Sequence, residues 1–167
     1  DDRWGIRVIV GSTFAPEADR GGVTFLGSFN WASDTPSLVF PDNLNMDDEK
    51  TTAEAISHEV GHSLGLSHDG SITPAQEYYS GQGTGDTSWA PIMGVGYYSN
   101  LTQWSQGDYA SANNQEDELA IITSQNGFGY RQDDFADSRF GANIISATVT
   151  GSTIYVDQKG LISQRSD

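Results

Sequence analysis

Apolar and polar positions alternate in short runs at both ends of the chain, and two helical periods lie between them. "IRVIVGS" at 6–12 is rich in branched residues and predicts a buried strand. "VTFLGSF" (23–29) and "SLVF" (37–40) predict two more, separated by the polar turn "NWASDTP" and preceded by the loop "FAPEADRGG". The acidic stretch "PDNLNMDDEK" leads into "TTAEAISHEVGHSLG" at 51–65, where Ala53, Ile56, Val60 and Leu64 recur every three or four positions as one apolar helix stripe. Thr51 and Glu54 stand in the relation of a capping box, and Gly65 is placed to end the helix in a left-handed turn. Residues 70–112 show little periodicity and predict irregular structure pinned by aromatics, with Trp4, Trp31, Trp89 and Trp104 as packing anchors. "NNQEDELAIITSQNG" (113–127) predicts a second helix, capped by asparagine and stopped by glycine. "ANIISATVTGSTIYVDQKG" predicts a hairpin around Thr150-Gly151-Ser152.

These elements add up to an α+β fold: sheet in the first third followed by one helix, an irregular second part with its own helix, and a terminal β-hairpin. A boundary near residue 136 divides a domain at 1–135 from the start of a β-rich module at 136–167, and no internal repeat is visible. The formal net charge of -15 would repel nucleic acid and anionic membranes. With no cysteine, any metal must be held by nitrogen and oxygen. No apolar run reaches the roughly 18 residues that span a bilayer, and "DDRWGIRVIVGS" shows no signal peptide.

All three histidines of the chain, His58, His62 and His68, fall within eleven residues. Residues four apart are neighbours on a helix surface, so His58 and His62 can direct ring nitrogens at one point, and the reversal at Gly65 returns His68 to it. Three neutral imidazoles make an open zinc site, whose fourth position is free for water or substrate. Glu59, rotated by about 100° from His58, is placed to take a proton from a zinc-activated water rather than to bind metal. Amide hydrolysis is the reaction this implies, with Glu59 passing the proton on to the departing amine. The acids Asp42, Asp47, Asp48 and Glu49 read as a solvated helix entry, with a Ca2+ site as the lesser alternative.

The run His58-Glu59-Val60-Gly61-His62-Ser63-Leu64-Gly65-Leu66-Ser67-His68-Asp69 resembles the signature of the metzincin zinc proteases, and Asp69 resembles the adamalysin or reprolysin branch. Ile92-Met93 in "APIMGVGYY" is similar to the methionine turn of that branch, where Met93 packs rather than reacts. The resemblance implies a secreted endopeptidase, with protein or peptide as its substrate and a monomer as the expected state. It implies that "GGVTFLGSF" is the sheet's edge strand, so that the backbone of Thr24, Phe25, Leu26 and Gly27 binds the peptide by strand addition. Tyr97 and Tyr98, in the segment after the methionine turn, are the implied pocket lining, with core packing as the equal alternative. The branch carries disulfides and this chain has no cysteine, which points to a bacterial relative. Some metzincins add a tyrosine ligand two residues after the methionine, but that position is Val95 here. Only 57 residues precede the motif, so an early strand-helix-strand portion is expected to be missing. Asp69 is expected to tie its loop to nearby backbone.

Two other functions fit less of the sequence. A zinc-stabilised binding or adhesion module would have no need of a base at Glu59, and a hydrolase of non-peptide amides would show no preference among peptides.

Overall fold

The computed structural model describes residues 5–14, 19–44, 48–130, 140–142, 144–157 and 159 of the chain. Its first sheet has three strands, β1 (Val8–Val10), β2 (Gly22–Val23) and β3 (Ser37–Val39), in the order β1-β3-β2. β1 runs parallel to β3, with Val8 opposite Ser37, and β2 runs antiparallel to it, with Val23 opposite Leu38. Ser37 and Val39 on the central strand are wholly buried, whereas Ile9 and Val10 are nearly half exposed. The expected buried strand at 6–12 is therefore a short edge strand, open to solvent because it is paired on one side only.

A second correction falls on 23–29. The strand stops at Val23, Gly27 adopts φ +69, and a 3-10 turn follows at Ser28–Asn30. The Gly27 N–H donates to the His62 carbonyl at 2.9 Å and the Ser28 N–H to Phe25 O at 3.1 Å. A bond to the far helix and a local turn thus take up donors that a continuing ladder would have used.

Helix α1 (Glu49–Ser63) starts three residues earlier than the Thr51 cap predicts. Asp48 is the cap: its carboxylate accepts the Thr51 N–H at 2.8 Å and the Thr51 hydroxyl at 2.9 Å, so Thr51 serves as a donor to the cap. Glu54 closes no capping box; it accepts from Thr102 Oγ1 at 2.9 Å and from Lys50 Nζ at 3.3 Å. The far end is as expected. Gly65 takes φ +100, the Gly65 N–H reaches His62 O at 2.9 Å, and the Leu66 N–H reaches Gly61 O at 3.0 Å.

The buried positions of α1 include Thr51, Ala55, Glu59 and Ser63 at a spacing of four, while Ala53 is exposed, so the predicted apolar stripe is off by part of a turn. The first half of the helix packs on the sheet through Val39, Leu44 and Ala55, with Val8, Ile56 and Tyr97 against them. Its end packs in a second core of Leu64, Leu66, Met93 and Ile122, flanked by Phe29, Val60 and Trp104.

The region after α1 is largely irregular, apart from a small parallel pair, β4 (Trp89–Pro91) with β5 (Leu101–Gln103). Tyr79 and Tyr109 stack at 4.0 Å, 8° from parallel. Trp104 belongs to the second core and Trp89 Nε1 donates to Gln103 Oε1 at 2.8 Å, but Trp31 is half exposed against Phe25, and Trp4 lies outside the described residues. Helix α2 (Glu118–Gln125) is capped by Asp117, which accepts the Ala120 N–H at 2.9 Å. The expected asparagine caps are corrected: Asn113 accepts from the distant Gly70 N–H and so ties two loops together, and Asn114 accepts from the Glu116 N–H in a local turn.

The chain divides into two compact units, Asp1–Phe128 and Gly129–Asp167, and residue 136 itself lies outside the described residues. The second unit holds β6 (Ala147–Thr150) and β7 (Thr153–Val156), an antiparallel hairpin turning at Gly151-Ser152 with every strand residue exposed. The fold is α+β. No helix among the described residues is long and apolar enough to cross a membrane.

Candidate metal centre and cleft

α1 presents His58 and His62 one turn apart, and the reversal at Gly65 brings His68 up to them. One ring nitrogen from each of the three lies within 4.8 Å of the other two. Their outer nitrogens are all engaged. His58 Nδ1 donates to Ile92 O at 2.9 Å, His62 Nδ1 donates to Leu66 O at 2.8 Å, and His68 Nδ1 stands 3.1 Å from Glu77 Oε1. These bonds fix the tautomers with the proton on Nδ1 and leave Nε2 as the ligating atom.

His62 Nε2 and His68 Nε2 are 2.9 Å apart. Two unprotonated nitrogens that close repel each other unless a cation sits against both, so the donor set suits a metal ion. Burial lowers the pKa of all three rings, that of His58 to about 3 with His62 adding to the effect, so each is neutral and able to ligate at pH 7. Three nitrogens and no sulfur fit zinc with an open position.

Glu59 follows the first ligand and is only 7% exposed. Burial pushes its carboxyl up to about 7, against the pull of the nearby Thr24 hydroxyl and Arg20. Neither Glu59 Oε2 nor Thr24 Oγ1 has a hydrogen-bond partner. A buried carboxylate oxygen without a protein partner therefore lies in the same cleft lining as the three converging imidazoles.

A cleft of about 540 Å3 opens over this group, lined by the three histidines, Glu59, Gly21 to Thr24, Glu77, Tyr78 and Tyr97 among others. Of the residues expected to bind substrate, Thr24 and Tyr97 are in the lining. Phe25 and Leu26 point to solvent at 65% and 59% exposure, Tyr98 is 72% exposed, and none of these three lines the cleft, nor does Gly27. Met93 is wholly buried against α1, and a Cβ on Gly61 would run into its sulfur. Met93 O accepts the Asp69 N–H at 2.9 Å, and the Asp69 carbonyl accepts the Tyr79 N–H at 2.7 Å, so the backbone of Asp69 ties the histidine loop to the methionine turn. Its side chain is 1% exposed with Oδ2 unpartnered, and burial raises its pKa to about 6.

Three lining residues carry no local sequence signal: Gly22, whose missing Cβ makes room for the Glu59 carboxyl, Glu77 behind His68, and Tyr78, whose ring is 4.4 Å from that of His68. Asp42 and Asp48 are engaged with Thr13 and Thr51, and Asp47 lies outside the described residues. Among the described residues only the histidine triad is arranged to hold a metal, and calcium gains no support.

A family model, peptidase M66, matches residues 45–143, more than half of the chain and all of the triad. The chain belongs to the peptidase M66 family. That family is one of metallopeptidases, which implies protein or peptide substrates, and the matched residues include the three histidines that could hold a metal ion. Neither the curated proteins nor the solved structures compared with this M66 chain gave a match.

Proposed function

We propose that this M66 chain is a secreted zinc endopeptidase of metzincin type, nearest in its motif to the adamalysin branch. The observation that carries the reading is Glu59: a buried carboxyl with a free oxygen, one residue from a ligand and facing the cleft. When bound, zinc supplies a Lewis acid that polarises the scissile carbonyl and makes water acidic. His58, His62 and His68 would hold it through their Nε2 atoms, their Nδ1 atoms being engaged by Ile92 O, Leu66 O and Glu77. Glu59 Oε2 takes the proton of the attacking water and delivers it to the leaving amine. Among the described residues β2 pairs with β3 on one side only, and the Gly22–Val23 edge, continued by Thr24, is the edge along which an extended peptide would add. Tyr97, packed against the first core, forms part of the cleft lining. On this reading the first unit is the catalytic domain and the hairpin unit belongs to an appended β-rich module. A binding module without turnover would have no use for a buried, unpartnered acid at position 59.

The test is hydrolysis of an unfolded protein and of quenched peptides, with and without a chelator, for the parent and for Glu59→Gln. Chelation is expected to abolish cleavage and zinc to restore it. Glu59→Gln should retain the metal yet lose about 10²- to 10⁴-fold in kcat. Undiminished turnover in that variant would remove Glu59 from the mechanism.

A further inference from the structure

The three imidazoles are supported unequally. His58 and His62 lean on backbone carbonyls of the methionine turn and the helix end, which cannot move without opening the second core. His68 leans on a side chain, Glu77, that is 67% exposed. Glu77 meets the outer nitrogen of His68, away from the point where the Nε2 atoms converge, so it supports the ligand rather than adding a fourth.

The segment carrying it is anchored closely on both sides. Ser71 and Gln76 exchange both backbone hydrogen bonds at 2.9 Å, the Tyr79 N–H binds Asp69 O, and Tyr79 O accepts the Val95 N–H at 2.9 Å. Only Glu77 and Tyr78 lie between these anchors, and both line the cleft, with the Tyr78 ring packed on His68. We infer that Glu77 is a positioning residue: its carboxylate fixes the ring plane and tautomer of His68, and so sets how tightly the triad retains its metal. A carboxylate hydrogen-bonded to a ligating histidine raises that ligand's basicity as well as orienting it, and loss of such a partner weakens metal binding about 10- to 100-fold. The inference rests on the zinc reading above and extends it to a residue nine positions beyond His68.

The zinc dissociation constant, measured by competition with a chromophoric chelator, tests it in the parent, Glu77→Ala and Glu77→Gln. The visible spectrum of the cobalt-substituted protein and the melting temperature of the metal-free protein are recorded alongside. Glu77→Ala is expected to bind zinc about 10- to 100-fold more weakly, with Glu77→Gln between it and the parent because the amide oxygen still accepts the Nδ1 proton. The cobalt band should shift in both variants, and the metal-free melting temperature should not. Affinity within about twofold of the parent in Glu77→Ala would overturn the inference while leaving the endopeptidase reading intact. So would a loss of affinity that comes with an unchanged cobalt band and a lower metal-free melting temperature, which would mark a merely structural role. A parent that binds no zinc would sink the endopeptidase reading, and this inference with it.

Discussion

The two walls of the cleft are built differently. On the metal side, the histidine loop, the methionine turn and the segment at Tyr79 are joined by successive backbone bonds, from Asp69 to Met93, from Tyr79 to Asp69 and from Val95 to Tyr79. On the sheet side, the wall is a two-residue strand at the edge of a three-stranded sheet, and the chain leaves that strand at Thr24. The metal side is rigid because displaced ligands lose their common focus. Among the described residues the sheet side ends in a strand paired with β3 alone, the edge that the proposed reading gives to an extended peptide. Where the two sides meet, Gly22 lies against the Glu59 carboxyl.

That contact can be broken directly. A Cβ on Gly22 would stand 2.5 Å from Glu59 Oε1 and 2.7 Å from its Cδ, so Gly22→Ala must push the carboxyl aside. Peptide hydrolysis should fall about a hundredfold in kcat, the cost expected of a displacement near 1 Å, while zinc affinity and melting temperature stay put. Full turnover in Gly22→Ala would mean that the approach of the two walls is irrelevant to the chemistry.

Gly61→Ala probes the rigid side alone. Its Cβ would meet the Met93 sulfur and come within 3.2 Å of Trp104 in the second core. Overpacking of this kind should lower unfolding free energy by about 1–3 kcal/mol in a denaturant titration. An unchanged midpoint would show that the methionine turn yields more than its burial implies.

The smallest expected effect is a drift of stability with pH. Glu118 is wholly buried with Oε1 unpartnered and Oε2 on the Ser105 N–H, and burial raises its pKa to about 8, with Asp69 and Glu116 pushing the same way. The folded chain thus keeps a proton that the unfolded chain releases above its ordinary pKa of 4.5. Stability is fully present below that value and declines as pH rises to about 8, and Asp69, raised to about 6, adds to the lower part of the window. Unfolding of the metal-free protein at pH 5 and pH 8 should show the decline, and Glu118→Gln should reduce it. Equal slopes in parent and variant would show that Glu118 does not titrate across folding.

The sequence made the metal side legible and the sheet side only partly so. His58 and His62 are related by helix geometry, and Gly65 fixes the way to His68, so local spacing places all three ligands and Glu59. Met93 was legible through resemblance. What the sequence hid is set by distant partners. The run at 23–29 looks like a strand by composition, yet the bond from Gly27 to the His62 carbonyl ends it, and no property of residues 23–29 announces that bond. The helix start moved from Thr51 to Asp48: both are good caps, and Thr51 serves as a donor to Asp48. Glu77 and Glu118 become visible only once their partners, His68 and Ser105, are placed.

The four residues from Gly65 to His68 have a consequence for how chain length can vary in relatives. Gly65 closes the helix, Leu66 fills the second core while its carbonyl holds His62, and two residues later His68 completes the triad. One inserted or deleted residue here would undo a cap, a core contact and a ligand together. The exposed turn at Gly83–Thr87 contributes nothing to the metal, so length variants should accumulate there and be absent between positions 62 and 68.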